Sequence, residues 1–196
     1  MTKSIIFIAI LLFLWQPIYS QEHQISAGMG IGSTNQILDG FLSFGSAFSA
    51  VFFDSSYHDK TKNLGEFRLA YAYTPKERWG FGGAFSYNYS EFDIIRKEEK
   101  LGEQTNSYYT LAAETSYSFL KKEKLNLYVL LGAGATLGTA KQTKLKQNTE
   151  ITGDDIFFNF QITPIGISYG KHWGGFAELG FGYRGLFSFG VFYDLK

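Results

Sequence analysis

From Gln24 to the C-terminus, apolar residues alternate with polar or small ones at a period of two, in segments of about ten residues. The clearest segment runs from Gly65 to Tyr73. It sets Phe67, Leu69, Tyr71 and Tyr73 on one face and Glu66, Arg68, Ala70 and Ala72 on the other. The next, from Trp79 to Tyr89, opposes Trp79, Phe81, Phe85, Tyr87 and Tyr89 to Gly80, Gly82, Ala84, Ser86 and Asn88. The same grammar recurs from Gln24 to Gly32, Tyr109 to Ser118, Leu125 to Thr136, Phe158 to Tyr169, Ala177 to Arg184 and Phe187 to Leu195, which makes eight strands. The phase slips near Pro164, where a proline inside a strand predicts a bulge or an edge position.

The connections alternate too. Short ones at Pro75 to Arg78, Lys121 to Lys124 and Lys171 to Gly174 interleave with long ones at Ser33 to Asn63, Phe92 to Ser107 and Ala140 to Asp155. Only the last hairpin, at Arg184-Gly185, is short on the long-loop side. An even number of strands with short turns on one rim predicts an all-β, eight-stranded, antiparallel up-and-down transmembrane β-barrel. In the first long loop, Ile37, Phe41, Phe44, Phe48 and Val51 recur at spacings of four and three behind Ser33-Thr34-Asn35, predicting an amphipathic helix with an N-cap. Such a helix either lies in the lipid interface, covers the barrel mouth, docks a partner or packs on the rim.

The chemistry of the two faces separates a membrane barrel from a soluble, lipocalin-like binder. A soluble barrel needs Lys, Glu and Asp on the face that meets water. Here the less apolar face is mostly Gly, Ala, Ser and Thr, and the lysines sit in connections. Small residues fit the cramped interior of eight strands, and the bulky Phe, Tyr, Leu and Val face then points to lipid. Composition agrees: 20 Phe, 13 Tyr and 22 Gly against 3 Pro favour strands over helices.

The N-terminus bears on compartment. Lys3, the apolar run Ile5 to Trp15 and a polar stretch ending in Ser20 read as a secretory signal over residues 1–20, cut between Ser20 and Gln21. Residues 21–196 are then the barrel domain. The 18 Lys plus Arg and 18 Asp plus Glu become 17 and 18 without Lys3, so no basic field attracts nucleic acid. No cysteine is present, which removes disulfides, a thiolate metal site and a cysteine nucleophile.

These residues resemble the eight-stranded outer-membrane β-barrel proteins of Gram-negative bacteria, the class that includes the OmpA membrane domain and OmpX. The closest stretches are Gly65 to Tyr73 with the following turn and strand, and Thr163 to Leu195. The resemblance implies an outer-membrane location, lipid as the surrounding partner, and insertion by the outer-membrane assembly machinery. Such proteins usually end in an aromatic residue; this chain ends Tyr193-Asp194-Leu195-Lys196.

Five charges fall on the interior phase: Glu66, Arg68, Glu114, Glu178 and Arg184. A buried charge must be paired, so an Arg68–Glu114/Glu178 cluster is expected across the lumen. It serves either as an ionic core or as the gate of a narrow pore. Gly28, Gly30 and Gly32 are read as small interior residues, since Ser33 stands where a dinucleotide turn needs glycine. No catalytic, cofactor or metal residues are assigned. A lipid A-modifying enzyme would need a Ser-His-acid set near the long-loop side. The histidines are His23, His58 and His172, and only His58 is on that side. The expectation is a non-enzymatic barrel with a structural or adhesion-type role through its long loops, its surface ligand open.

Overall fold

The computed structural model describes residues 22–41, 57–76, 78–96, 99–144 and 149–195. The expected signal peptide lies outside them, as do Phe44, Phe48 and Val51. The strands are β1 (Glu22–Ile31), β2 (Tyr57–Lys76), β3 (Trp79–Arg96), β4 (Glu99–Lys121), β5 (Leu125–Lys144), β6 (Thr149–Gly170), β7 (Trp173–Gly182) and β8 (Phe187–Leu195). Each pairs antiparallel with its sequence neighbours, and β1 pairs with β8 to close the barrel. No edge remains where the ring is complete, so the strands there pair on both sides.

The strands fall into two lengths. β1, β7 and β8 have 10, 10 and 9 residues, about what a tilted strand needs to cross a hydrocarbon layer. β2 to β6 have 18 to 23 residues. Their extra length projects beyond one rim as a five-stranded wall. Above Glu66, β2 pairs only with β3; before Gln161, β6 pairs only with β5. The wall thus has two edges, with a notch between them where β1, β7 and β8 stop short.

This corrects all three expected long loops; in the first, Tyr57 to Asn63 already belong to β2. Phe92 to Ser107 is the continuation of β3 and β4, paired through Arg96↔Glu99, and Ala140 to Asp155 is the continuation of β5 and β6 through Lys144↔Thr149. Their polarity reads as loop, yet the strand ladders run on through both segments, and between β3 and β4 Lys100 meets Asp93 at 2.7 Å. The alternation also persists, with Phe92 and Ile94 buried on the inner side.

The expected bulge is present at Pro164, where the β5–β6 register shifts between Tyr128 and Leu130 and the β6–β7 register between Ile162 and Ile165. Around the closed ring the apolar phase points outward, with Tyr183 the exception: Leu111 is 70% and Phe158 72% exposed, and Leu69, Leu131 and Val191 are also exposed. Aromatic pairs ring the short-turn rim, including Trp173–Tyr193 at 4.6 Å and Trp79–Tyr117 at 5.0 Å. No helix among the described residues is long and apolar enough to cross a membrane.

Candidate functional site: two polar layers in the lumen

The interior is filled at two depths. The first layer is centred on Arg184, in the tight β7–β8 connection. β7 ends at Gly182 with φ 141°, and Gly185 has φ 102°, values that suit residues without a Cβ. The chain therefore dips inward, and Tyr183 is fully buried in the lumen rather than on the outer face that strand alternation predicts for it. Space for its ring comes from β5: a Cβ on Gly132 would lie 2.3 Å from the Tyr183 hydroxyl.

From this turn Arg184 bridges two carboxylates. Its Nε donates to Glu114 Oε1 at 2.8 Å, its Nη2 donates to Glu114 Oε2, and its Nη1 donates to Glu178 at 2.6 and 2.8 Å. The forked guanidinium suits two planar carboxylates held on different strands. Tyr183 donates to Glu114 at 2.6 Å; Tyr128 and Ser188 donate to Glu178 at 2.7 and 2.9 Å. Arg68 reaches Glu178 at 3.3 Å and lies over the Phe176 ring at 4.8 Å. The lumenal cluster expected from sequence is thus present with a different hub. Glu114 is held by Arg184 and Tyr183 rather than by Arg68. Two arginines face two glutamates, so the layer is neutral.

Below it, a cavity of about 490 Å³ reaches the short-turn rim, where Lys122, Lys124 and His172 line its mouth. Its walls are small residues such as Ser26, Ala70, Ala72 and Gly82, with Arg68 and Tyr128 at its end.

Glu66 belongs to the second layer, away from the Arg184 cluster. A helix over residues 34–41 (α1) crosses the barrel mouth. Ser33 caps it: Ile37 N bonds Ser33 O at 2.9 Å, Gln36 N bonds Ser33 Oγ at 3.3 Å, and Gln36 Oε1 accepts from Gly32 N at 2.6 Å. Its inward face is polar. Asn35 donates to both Glu66 oxygens at 3.4 Å and accepts from Asn159 at 3.2 Å. One turn on, Asp39 accepts from Tyr108 at 2.7 Å and from Asn106 at 2.9 Å. Side bonds tie α1 to both flanks: Thr34 to Asn159 on β6 at 2.9 Å, and Gln36 to Asn63 on β2 at 3.1 Å. Among the described residues, no cation pairs with Glu66 or Asp39.

A helix is present over 34–41, part of the expected span, with its polar face inward and its apolar residues outward. Asn35 and Asp39 are fully buried, whereas Ile37, Leu38 and Phe41 are exposed. Sequence reasoning left the setting of the apolar stripe open and did not single out Asn35 and Asp39. Their spacing of four was the available signal.

His23 and His172 sit at the short-turn rim; His23 Nδ1 lies 2.6 Å from the Tyr71 hydroxyl, and the His172 carbonyl accepts from Asp194 N at 2.9 Å. His58 lies on β2 opposite Ile94, and its side chain is outside the described residues. Among the described residues no three His, Asp or Glu are grouped to hold a metal.

These features define an eight-stranded up-and-down barrel with a polar, ion-paired lumen. No known protein family matches the sequence, and no curated protein does. Among solved structures it is similar to Ail, the attachment invasion locus protein of Yersinia pestis. The identity is 17%, covering 89% of this chain and 97% of that one with a TM-score of 0.48. A second Ail structure, in complex with the heparin analogue sucrose octasulfate, has 17% identity, 89% and 94% coverage, and a TM-score of 0.47.

Proposed function

We propose that the chain is a non-enzymatic outer-membrane barrel whose structural or adhesion-type role is exerted through the projecting wall of β2 to β6. One observation carries the membrane reading: the barrel is apolar outside and polar inside. Leu69, Leu111, Phe158 and Val191 are exposed, while Glu66, Arg68, Glu178 and Arg184 are buried. A protein surrounded by water buries the former set and exposes the latter. Lipid reverses that preference, and closed barrels are the β-structures that lipid accepts. The aromatic pairs at the short-turn rim suit the headgroup level.

On this reading the termini and short turns face the periplasm and the wall stands at the cell surface. Lipid surrounds the barrel, and the assembly machinery inserts it after signal cleavage near Ser20. The wall supplies a contact surface mixing Lys, Glu, Asp, Thr and Gln with exposed Ile151. The Arg184 layer and α1 stand across the lumen at two depths, which favours surface contact over conduction.

The test is gel mobility of membrane-extracted protein, unboiled against boiled, alongside fractionation. A heat-dependent shift in the outer-membrane fraction is expected. A soluble periplasmic protein with no shift overturns the reading. Replacing residues 92–107 by a short turn should then leave the heat shift intact and abolish surface attachment; unchanged attachment would remove the role of the wall.

A further inference from the structure

We propose that α1 is a lipid-facing stave at the outer-leaflet interface: its outer face, Ile37, Leu38 and Phe41, meets the boundary between headgroups and acyl chains at the notch between β6 and β2. The inference rests on the membrane reading above and extends it from strands to a helix. The first support is the helix's own polarity. A helix covering a water-exposed mouth turns its apolar stripe inward and its polar face to solvent. Here the fully buried face carries Asn35 and Asp39, and Phe41 on the outer face is 75% exposed, with Leu38 at 42% and Ile37 at 37%. This is the inversion that the barrel wall itself shows.

The second support is continuity. At the base of the notch, Ile31 and Leu186 are exposed; Leu64 lies on the β2 side, and Ile156 and Phe158 on the β6 side. The helix is joined to both sides by Gln36–Asn63 and Thr34–Asn159, and Leu186 packs against Gly32 just ahead of the cap. Exposed apolar side chains thus run from the β8 end of the belt across α1 to β2. With a polar inner face and an apolar outer one, α1 takes the place of the missing upper halves of β1, β7 and β8. A helix satisfies its own backbone hydrogen bonds, so it can border lipid at that gap at little backbone cost.

The chain has no cysteine, so single labels are unambiguous. Nitroxides would be placed at Leu38→Cys and Phe41→Cys, with Leu69→Cys as a mid-belt control and Glu103→Cys as a wall control, in phosphatidylcholine vesicles. Collision with oxygen, which concentrates in hydrocarbon, is compared with collision with a water-borne nickel chelate. Oxygen should dominate at Leu38 and Phe41 as it does at Leu69, and nickel should dominate at Glu103. Nickel dominating at Leu38 and Phe41 while oxygen dominates at Leu69 overturns the proposal and leaves the membrane reading standing. Low collision with both reagents at Leu38 and Phe41 means that protein covers the helix, a second copy or another segment, and also overturns it. Nickel dominating at Leu69 as well removes the membrane reading and the proposal together.

Discussion

The two lumenal layers solve the same problem in opposite ways. Around Arg184, two buried carboxylates meet two guanidinium groups, all carried by the closed ring or its tight turn. Around α1, the buried carboxylates Glu66 and Asp39 meet only amides and hydroxyls, such as Asn35, Asn106 and Tyr108. The first layer pairs charge with charge and is built into the closed ring. The second offers its carboxylates no cation among the described residues and depends on an element held by side-chain bonds. The difference teaches that the Arg184 layer is the barrel's structural core, and that the mouth is closed by a part the ring does not need.

The largest expected effect tests that ranking directly. Arg184→Ala strands Glu114 and Glu178 without their main cation, and should cost about 3–5 kcal/mol in urea unfolding of the membrane-reconstituted protein. Stability within error of wild type would dissolve the contrast between the layers. Gly132→Ala places a methyl group against the Tyr183 hydroxyl and pushes it off Glu114; a loss of about 1–3 kcal/mol is expected in the same assay. Asp39→Ala leaves the Tyr108 hydroxyl and the Asn106 amide unpaired, at about 1–2 kcal/mol. That loss should appear as faster amide exchange of residues 34–41, with the strands protected as before. Exchange rising equally in β4 and β7 would show that the mouth and the core are one cooperative unit.

The smallest effect lies on the wall, outside both layers. Hydrogen bonds to Asp93 and Glu103 raise the Lys100 ammonium from 10.5 to about 12. Because the folded value exceeds that of the unfolded chain, the contribution is complete below 10.5 and fades as pH rises through about 12. A Lys100 titration by NMR should move back towards the ordinary lysine range in Asp93→Asn. An unchanged midpoint would mean that the wall charges act independently.

Much of this was legible in the order of residues because strand alternation is local. The eight strands, their faces, the bulge at Pro164 and the inward phase of Glu66, Arg68, Glu114, Glu178 and Arg184 all follow from neighbours two positions apart. The wall was missed because polarity was weighed above alternation between Phe92 and Ser107 and between Ala140 and Asp155. Tyr183 was misplaced because a positive-φ glycine at 182 resets the phase, and nothing in a period-two pattern announces that reset.

The sequence by itself determined the kind of barrel and which residues line it, since each choice is made by a residue and its near neighbours. Tertiary structure decided the pairings, because closure brings together groups far apart in the chain. Arg68 and Glu178 are separated by 110 positions, and Arg184 and Glu114 by 70. It also decided which face of α1 points inward. An apolar stripe at helical spacing is compatible with burial in protein or in lipid, and only the notch left by three short strands sets it facing outward.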